Sequence, residues 1–213
     1  NNRKAEKMSK QLWKPGNMLY PLPAVLVSCG DKAGNYNVLT VAWTGTICSD
    51  PAMVYVSVRK NRYSHHMLEE TGEFYINLTT EALAFATDYC GVKSGKDLNK
   101  FEEMHLTPEM GMLSWAPMIK ESPVCIACEV VRIEELGSHD MFIANVKGVY
   151  ADEAYMDEKG KFELVKAKPI VYSHGQYYGL GCYIGKFGYS VQKKPAKVKK
   201  ATAHKAKPKS KKA

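Results

Sequence analysis

No stretch of the sequence approaches the roughly 18 uninterrupted apolar residues of a transmembrane helix, so we expect no membrane-spanning segment. The opening residues, NNRKAEKMSK, contain no apolar run, and we therefore expect no secretory signal. The cysteines form only one C-x-x-C pair, and no second pair completes a zinc site. These absences favour a cytoplasmic protein with reduced thiols and no metal.

The C-x-x-C pair, Cys125 and Cys128, lies in PVCIACEVV, a segment typical of a β-strand. Residues three apart in a strand point to opposite faces of the sheet. The two thiols are therefore predicted to pack separately in the core, without sharing a metal ion or forming a redox pair.

Acidic residues are absent from residues 193–213, which contain ten lysines. Subtracting these ten from the 30 basic residues of the chain leaves 20, against 22 acidic residues, so the net charge of +8 comes from this tail. A segment rich in Lys, Ala and Pro cannot bury enough apolar surface to order itself. Two interpretations stay open: a solvated tail, or weak polyanion binding without sequence preference.

The rest of the chain consists mainly of apolar runs separated by turns. We predict a helix at 61–72, ended by Gly72, and a second at 79–91, with Thr79 or Thr80 as its N-cap and Gly91 at its end. The following segment, 92–104, is polar and loop-like at its start. The predicted strands are 22–30, 37–43, 52–59, 73–78, 123–136, 141–152 and 168–173.

Strands and helices do not alternate regularly, which excludes a doubly wound sheet. The element pattern instead predicts a mainly β protein with short helices, forming a closed or partly closed antiparallel barrel. We expect this domain at residues 12–190, preceded by a flexible arm at 1–11 and followed by a disordered Lys-rich tail at 191–213.

One strand pair has an unusual composition at its centre. The segment TVAWTGTICSDP places the large flat ring of Trp43 beside a glycine and several small hydroxyl side chains. Such a set allows close backbone approach to a planar group with hydrogen-bonding edges. The alternative interpretation is that Trp43 is an ordinary barrel aromatic.

Five segments in order carry a family resemblance: NVLTVAWTGTICSDP, VSVRKNRYSHHM, SGKDLNKF, GSHDMF and KPIVYSHGQYYGLG. Together they resemble the flavin reductase-like family, and more narrowly its flavoredoxin branch. The resemblance extends over about residues 12–190. It implies an FMN-binding split β-barrel that forms a homodimer and holds FMN near the subunit interface.

The resemblance also implies residues that contact FMN. The first segment places Asn37, Thr40 and Trp43 against the flavin, and Val41, Ala42 and Thr44 belong to the same segment. At the following strand-to-helix junction, the residues expected near the phosphate are Arg59, Arg62 and Ser64, and Ser57 of the same segment is expected to bind the cofactor. A solvated charge run is the alternative interpretation of this basic cluster. His65 and His66 acquire no role and are predicted to lie on the surface of the helix.

The remaining segments supply further candidate residues. SGKDLNKF implies that Ser94 and Lys100 bind the cofactor, with Lys100 near either the flavin ring or the phosphate. GSHDMF implies that His139 lies over the flavin or on the nicotinamide side as the catalytic residue; a turn histidine is the alternative. KPIVYS implies that Tyr172 lies near the flavin, whereas Tyr177 and Tyr178 are expected at the barrel end or dimer contact.

The implied activity is electron transfer from NADH or NADPH through FMN to an unknown second acceptor. No G-x-G-x-x-G follows a predicted strand, so NAD(P)H is expected to bind transiently over the flavin. Two alternatives remain. The protein could be a non-enzymatic FMN electron carrier reduced by a partner protein, or a polyanion-binding protein that acts through its Lys-rich tail.

Overall fold

A computed structural model describes residues 9–192 of the chain. The strands are β1 (Leu22–Pro23), β2 (Val25–Gly30), β3 (Tyr36–Val41), β4 (Thr44–Ser49), β5 (Ala52–Arg59), β6 (Glu73–Asn77), β7 (Pro108–Met110), β8 (Pro117–Ile119), β9 (Val124–Leu136), β10 (His139–Ala151), β11 (Ile170–Ser173) and β12 (Gln176–Gly179). The helices are α1 (Ser64–Thr71), α2 (Ala84–Val92) and α3 (Lys100–Glu103). Short 3₁₀ turns lie at Glu81–Leu83, Glu153–Tyr155, Leu164–Ala167 and Tyr189–Val191.

Seven strands form one antiparallel sheet in the order β3-β2-β6-β9-β10-β5-β4. Within residues 9–192 no strand pairing joins β3 to β4, so the sheet is a split barrel rather than a closed one. Smaller sheets are formed by β1-β11-β12 and by β7-β8. The prediction of a mainly β, partly closed antiparallel barrel is therefore confirmed.

The barrel interior is filled from alternate positions of the central strands, including Val27, Val56, Phe74 and Phe142, all fully buried. Cys128 belongs to this cluster, whereas Cys125 packs with Tyr75 in a separate cluster behind the sheet. The prediction that the two cysteines pack on opposite faces is confirmed. The physical reason is the two-residue repeat of side-chain direction in a strand.

The structure corrects several predicted boundaries of strands. The predicted strand at 22–30 is divided at Ala24 into β1 and β2, which belong to different sheets. Likewise, the predicted strand at 37–43 ends at Val41, and a separate strand, β4, begins at Thr44. The sequence signal missed these divisions because strand-forming residues continue through both breaks.

The helix predictions also need correction. Neither Thr79 nor Thr80 caps the second helix with its side chain; the hydroxyl of Thr79 donates instead to the carbonyl of Ala24. Gly91 lies inside α2 and does not end it. The start of the segment 92–104 is a loop as expected, at residues 93–99, and α3 follows it; the N-cap Asn99 accepts a hydrogen bond from the Phe101 N–H at 3.1 Å. By contrast, Gly72 ends α1 in the left-handed conformation, as predicted.

A compact unit of the chain ends at Leu180, and a second unit begins at Gly181. The cavities described below belong to the first unit. Among the described residues, no helix has the length and apolar character needed to cross a membrane. The Lys-rich tail from residue 193 onward, and the first eight residues of the predicted arm, lie outside the described residues.

Candidate functional site

A polar cavity of about 440 Å³ opens where β5 leads into α1. It lies between the end of β5, the start of α1, β3 and the loop before α3. Six of the residues expected to contact FMN line it: Asn37, Arg59, Arg62, Ser64, Ser94 and Lys100. It is lined by four cationic side chains (Arg59, Arg62, Lys93 and Lys100) and three hydroxyls (Tyr63, Ser64 and Ser94), so it is suited to an anionic group such as a phosphate. We call it the cationic cavity.

The floor of the cationic cavity is built from buried polar groups. Asn37 on β3 donates from Nδ2 to Ser64 Oγ at 2.7 Å, which ties the strand to the first residue of α1. Both side chains are buried. The loop glycine Gly95 lies directly over this pair, because a Cβ atom at position 95 would come within 2.2 Å of Asn37 Oδ1. Only a glycine fits there without displacing Asn37.

Lys100 enters the cationic cavity from the first turn of α3. Its Nζ donates to the carbonyl oxygen of Cys90 at 2.8 Å, and only 3% of the residue is exposed. Burial, followed by the positive charge of Arg62, lowers the pKa of Lys100 to about 8, although the nearby thiols of Cys90 and Cys29 act in the opposite direction. Lys100 lines this cavity and does not line the second cavity described below.

A second cavity of about 320 Å³ continues from the first. Leu39, Arg59 and Arg62 line both, so the two form one continuous site. Its other lining residues include the predicted Thr40, Val41, Ala42, Trp43, Ser57, His139 and Tyr172. Its aromatic and aliphatic walls are suited to a flat ring. We call it the aromatic cavity.

Trp43 lies at the corner between β3 and β4. The backbone leaves the sheet at Ala42, and the carbonyl oxygen of Trp43 accepts a hydrogen bond from the Ser57 N–H at 2.8 Å. This break turns the indole toward the aromatic cavity and also toward an apolar cavity on the outer side. The composition that stood out in the sequence thus marks a corner between strands, where small neighbours leave room beside one large ring.

His139 is the first residue of β10 and pairs directly with Arg59 of β5. Its Nδ1 lies 2.8 Å from Ser138 Oγ, and its ring lines the aromatic cavity. Partial burial, followed by the charges of Arg59 and Arg62, lowers the pKa of His139 below its usual value. The imidazole is therefore neutral at neutral pH and available for hydrogen bonding.

Two tyrosines form the wall opposite the sheet. Tyr172 on β11 and Tyr177 on β12 pack edge to face, with ring centroids 5.7 Å apart. Tyr177 donates to Asp88 Oδ1 on α2 at 3.2 Å, and burial, reinforced by Asp88, raises the pKa of Tyr177 to about 12. Tyr177 lines the aromatic cavity, whereas the sequence led us to expect this residue at the barrel end or dimer contact. The only signal in the sequence for this role of Tyr177 was the pair of adjacent tyrosines followed by Gly179.

All but one of the expected site residues line the two cavities. The exception is Thr44, which the structure does not bring to the site. It is the first residue of β4, and its hydroxyl donates to the Tyr55 carbonyl at 2.6 Å, so it closes the strand corner instead. Leu39, Tyr63, Lys93 and Gly91 also line the site, and sequence reasoning did not single them out.

The prediction that His65 lies on the surface is wrong, whereas His66 is exposed as expected. His65 is buried, with its Nε2 2.8 Å from Asp140 Oδ2 and its Nδ1 3.3 Å from Glu69 Oε2. These three side chains are the potential metal-ligand group among the described residues. The ammonium of Lys60, however, lies 3.3 Å from Asp140 Oδ1, as expected for an ion-pair cluster rather than a cation site.

Comparison with known proteins agrees with this architecture. The family profile described as flavin reductase like domain matches residues 18–181, and the chain belongs to this family. Its flavoredoxin branch is the one that the comparisons support. The fold matches the flavoredoxin of Desulfovibrio vulgaris (Miyazaki F) with a TM-score of 0.79 and 29% identity, covering 86% of this chain and 100% of that one.

A flavoredoxin from Methanosarcina acetivorans is similar to the same extent, with a TM-score of 0.77, 29% identity, and coverage of 86% of this chain and 100% of that one. An uncharacterized protein of Archaeoglobus fulgidus is 31% identical over 141 residues, which are 66% of this chain and 78% of that protein. The resemblance noted in the five sequence segments is therefore confirmed at the level of family and branch.

Proposed function

We propose that this protein is an FMN-dependent oxidoreductase that passes electrons from NADH or NADPH to a second acceptor. One observation carries the proposal: a single continuous site has a cationic end and an aromatic end, in the order that FMN requires. The phosphate monoester of FMN carries about two negative charges near pH 7. The isoalloxazine is flat and largely apolar, with hydrogen-bonding edges.

The residues present fit this cofactor. Arg59, Arg62 and Lys100 supply positive charge, and the hydroxyls of Ser64 and Ser94 supply donors for phosphate oxygens. At the other end, Trp43 and the Tyr172–Tyr177 pair provide flat surfaces for the ring. When bound, FMN supplies hydride acceptance and onward electron transfer.

The protein residues contribute positioning and electrostatics to this chemistry. Neutral His139 can donate a hydrogen bond to, or accept one from, a group on the open side of the aromatic cavity. The cations of Arg59 and Arg62, which line both cavities, favour negative charge where the two meet. Tyr172 and Tyr177, which form the wall opposite the sheet, limit the access of water to the aromatic cavity.

We further propose that two copies of the chain form a homodimer. An apolar cavity of about 560 Å³ lies on the outer side of Trp43 and is lined by Met18, Leu19, Leu136 and Met141 among others. Leu19 is 83% exposed, and Met18 and Leu136 are more than half exposed. A second copy would cover this surface and close the outer side of Trp43. Light scattering after size-exclusion chromatography should give twice the chain mass.

All six cysteines are unpaired in the described residues, which supports our placement of the protein in the reducing cytoplasm.

The decisive experiment for the proposed function combines an absorbance spectrum of the purified protein, FMN titration and anaerobic addition of NADH or NADPH. We expect one FMN per chain, loss of the flavin absorbance on reduction, and steady NAD(P)H oxidation with excess acceptor. A protein that takes up no FMN would contradict the proposal.

The same experiment separates the enzyme from a non-enzymatic carrier. A carrier would bind FMN with the same stoichiometry but would not be reduced by NADH or NADPH alone. Reduction of the bound FMN with dithionite provides the control. It shows that the cofactor is redox-active in the protein, independently of NADH or NADPH.

A further inference from the structure

The buried imidazole of His65 lies between two carboxylates from different elements. Its Nε2 lies 2.8 Å from Asp140 Oδ2 on β10, and its Nδ1 lies 3.3 Å from Glu69 Oε2 one turn further along α1. The ring also packs edge-on against Phe142, with centroids 5.3 Å apart. Contacts on both nitrogens and one edge hold the ring in one orientation.

Asp140 is equally constrained. The side chain is 4% exposed, and its second oxygen, Oδ1, accepts no hydrogen bond within residues 9–192 but lies 3.3 Å from Lys60 Nζ. Lys60 also reaches Glu135 Oε2 at 2.9 Å. Burial alone would raise the pKa of Asp140, but the hydrogen bond with His65 and the nearby ammonium of Lys60 outweigh it and lower that pKa, so the carboxylate is charged at neutral pH.

The sequence neighbours of this pair belong to the two ends of the site. Ser64, directly before His65, lines the cationic cavity, and His139, directly before Asp140, lines the aromatic cavity. Adjacent residues of a strand point to opposite faces, so Asp140 points away from His139 and to the same face of β10 as Phe142. Neither His65 nor Asp140 lines either cavity, so neither touches a bound flavin.

We propose that the His65–Asp140 bridge is a positioning device that sets the spacing between the phosphate end and the ring end of the site. This inference rests on the proposed FMN function. The bridge joins the start of α1 to the start of β10. It therefore holds Ser64 and the preceding Arg62 at a constant distance from His139. A ligand that spans both cavities gains from this constant spacing, because binding at one end places its other end correctly.

A comparison of FMN with riboflavin tests this proposal, since riboflavin has the same ring and ribityl chain but lacks the phosphate. The ratio of the two affinities measures how much the cationic cavity contributes once the ring is bound. His65→Leu removes the bridge, and we expect this ratio to fall about tenfold, mainly through weaker FMN binding. The adjacent exposed histidine supplies the matched control: in His66→Leu the ratio should stay within about twofold of the parent.

The outcomes distinguish the possible roles. A merely structural His65 would lower the melting temperature but leave the FMN-to-riboflavin ratio unchanged well below that temperature, and this would overturn the proposal. If His65→Leu does not fold, Asp140→Asn is the deciding variant, because it retains the shape of the side chain but removes its charge; its FMN-to-riboflavin ratio is measured in the same way.

Dialysis against EDTA before the titration tests for a bound cation. It should leave the ratio unchanged; a drop would indicate a bound cation and also overturn the proposal. A parent protein that binds neither flavin would instead refute the proposed function.

Discussion

Lys100 illustrates how burial changes the chemistry of one residue. A lysine in water has a pKa of 10.5, whereas the buried Lys100 near Arg62 has a pKa of about 8. Between these values the unfolded chain binds more protons than the folded chain, so Lys100 makes the flavin-free protein more stable as pH rises from about 8 to 10.5. Below pH 8 Lys100 is a buried cation in the folded protein, and its burial lowers the stability of the flavin-free protein.

The first prediction concerns the pH dependence of FMN binding. The phosphate requires the protonated form of Lys100, which is progressively lost above pH 8 in the free protein. FMN affinity should therefore fall as pH rises from about 7 to 9, whereas riboflavin affinity should change little. Titrations of both flavins at several pH values measure the difference. An equal pH slope for the two would show that Lys100 does not bind the phosphate.

Lys100→Met provides the second prediction. The substitution removes a positioned charge-assisted hydrogen bond, so FMN affinity at pH 7 should fall about tenfold or more and lose most of its pH slope. The flavin-free variant should melt at a higher temperature than the parent at pH 7, because a buried cation is replaced by an apolar chain of similar length. Lower stability with unchanged FMN affinity would contradict the assigned role.

Trp43 and Trp115 form a natural comparison for the third prediction. Trp43 lines the aromatic cavity, whereas Trp115 lies outside it, and its backbone N–H donates to Glu73 Oε2 at 2.8 Å. Trp43→Ala should weaken FMN binding by about 1–3 kcal/mol, because a ring that packs on the ligand is lost. Trp115→Ala should leave affinity nearly unchanged. Equal losses at comparable stability would place the flavin elsewhere.

At the scale of elements, the loop before α3 borders the cationic cavity and lies over the start of β3. Gly95 of this loop lies against the amide of Asn37, and Asn37 holds Ser64 at the start of α1. The spacing between loop, strand and helix thus depends on the absence of a side chain at one position. This dependence gives a test of the loop that removes no polar group from the cavity.

The fourth prediction is that Gly95→Ala weakens FMN binding about tenfold, because the new Cβ would lie 2.2 Å from Asn37 Oδ1 and must displace that amide. Gly181→Ala is the matched control, since a Cβ there meets nothing within 4 Å. FMN titration and thermal melting of both variants give the result. Retained affinity in Gly95→Ala would mean that the Asn37–Ser64 contact is not needed for binding.

At the scale of the whole molecule, the net positive charge comes from the Lys-rich tail, whereas the proposed site uses only a few placed cations. Charges exposed to solvent are screened beyond about 8 Å at physiological salt. The ten lysines of residues 193–213 should therefore contribute little to FMN affinity, although they could bind polyanions.

The fifth prediction follows from this contrast. Deletion of residues 193–213 should leave FMN affinity and NAD(P)H oxidation nearly unchanged at about 150 mM salt. Any salt-dependent mobility shift with DNA should disappear in the same variant. The parent chain and Lys100→Met are the controls. Loss of flavin on truncation, with retention in Lys100→Met, would reverse the assignment of the cofactor site.

Local patterns predicted much of the fold. Alternating apolar residues located the long strands β9 and β10, and Gly72 marked the end of α1. Local patterns could not divide residues 22–30 between two sheets or separate β3 from β4. Sheet membership depends on partners far along the chain: Leu22 pairs with Tyr172, whereas Leu26 pairs with Asn77. Strand propensity alone contains no information on such partners.

The sequence by itself determined the family, the partly closed barrel and the residue types of a flavin site, because these depend on ordered motifs and on side-chain periodicity. Only the tertiary structure decided that Lys100 belongs to the cationic cavity, that Thr44 closes a strand corner, and that Tyr177 forms a wall of the site. Likewise, only the fold brings His65 within 2.8 Å of Asp140, 75 residues away. The physical reason is that burial and electrostatic environment arise from long-range contacts, and these set both the orientation and the pKa of a side chain.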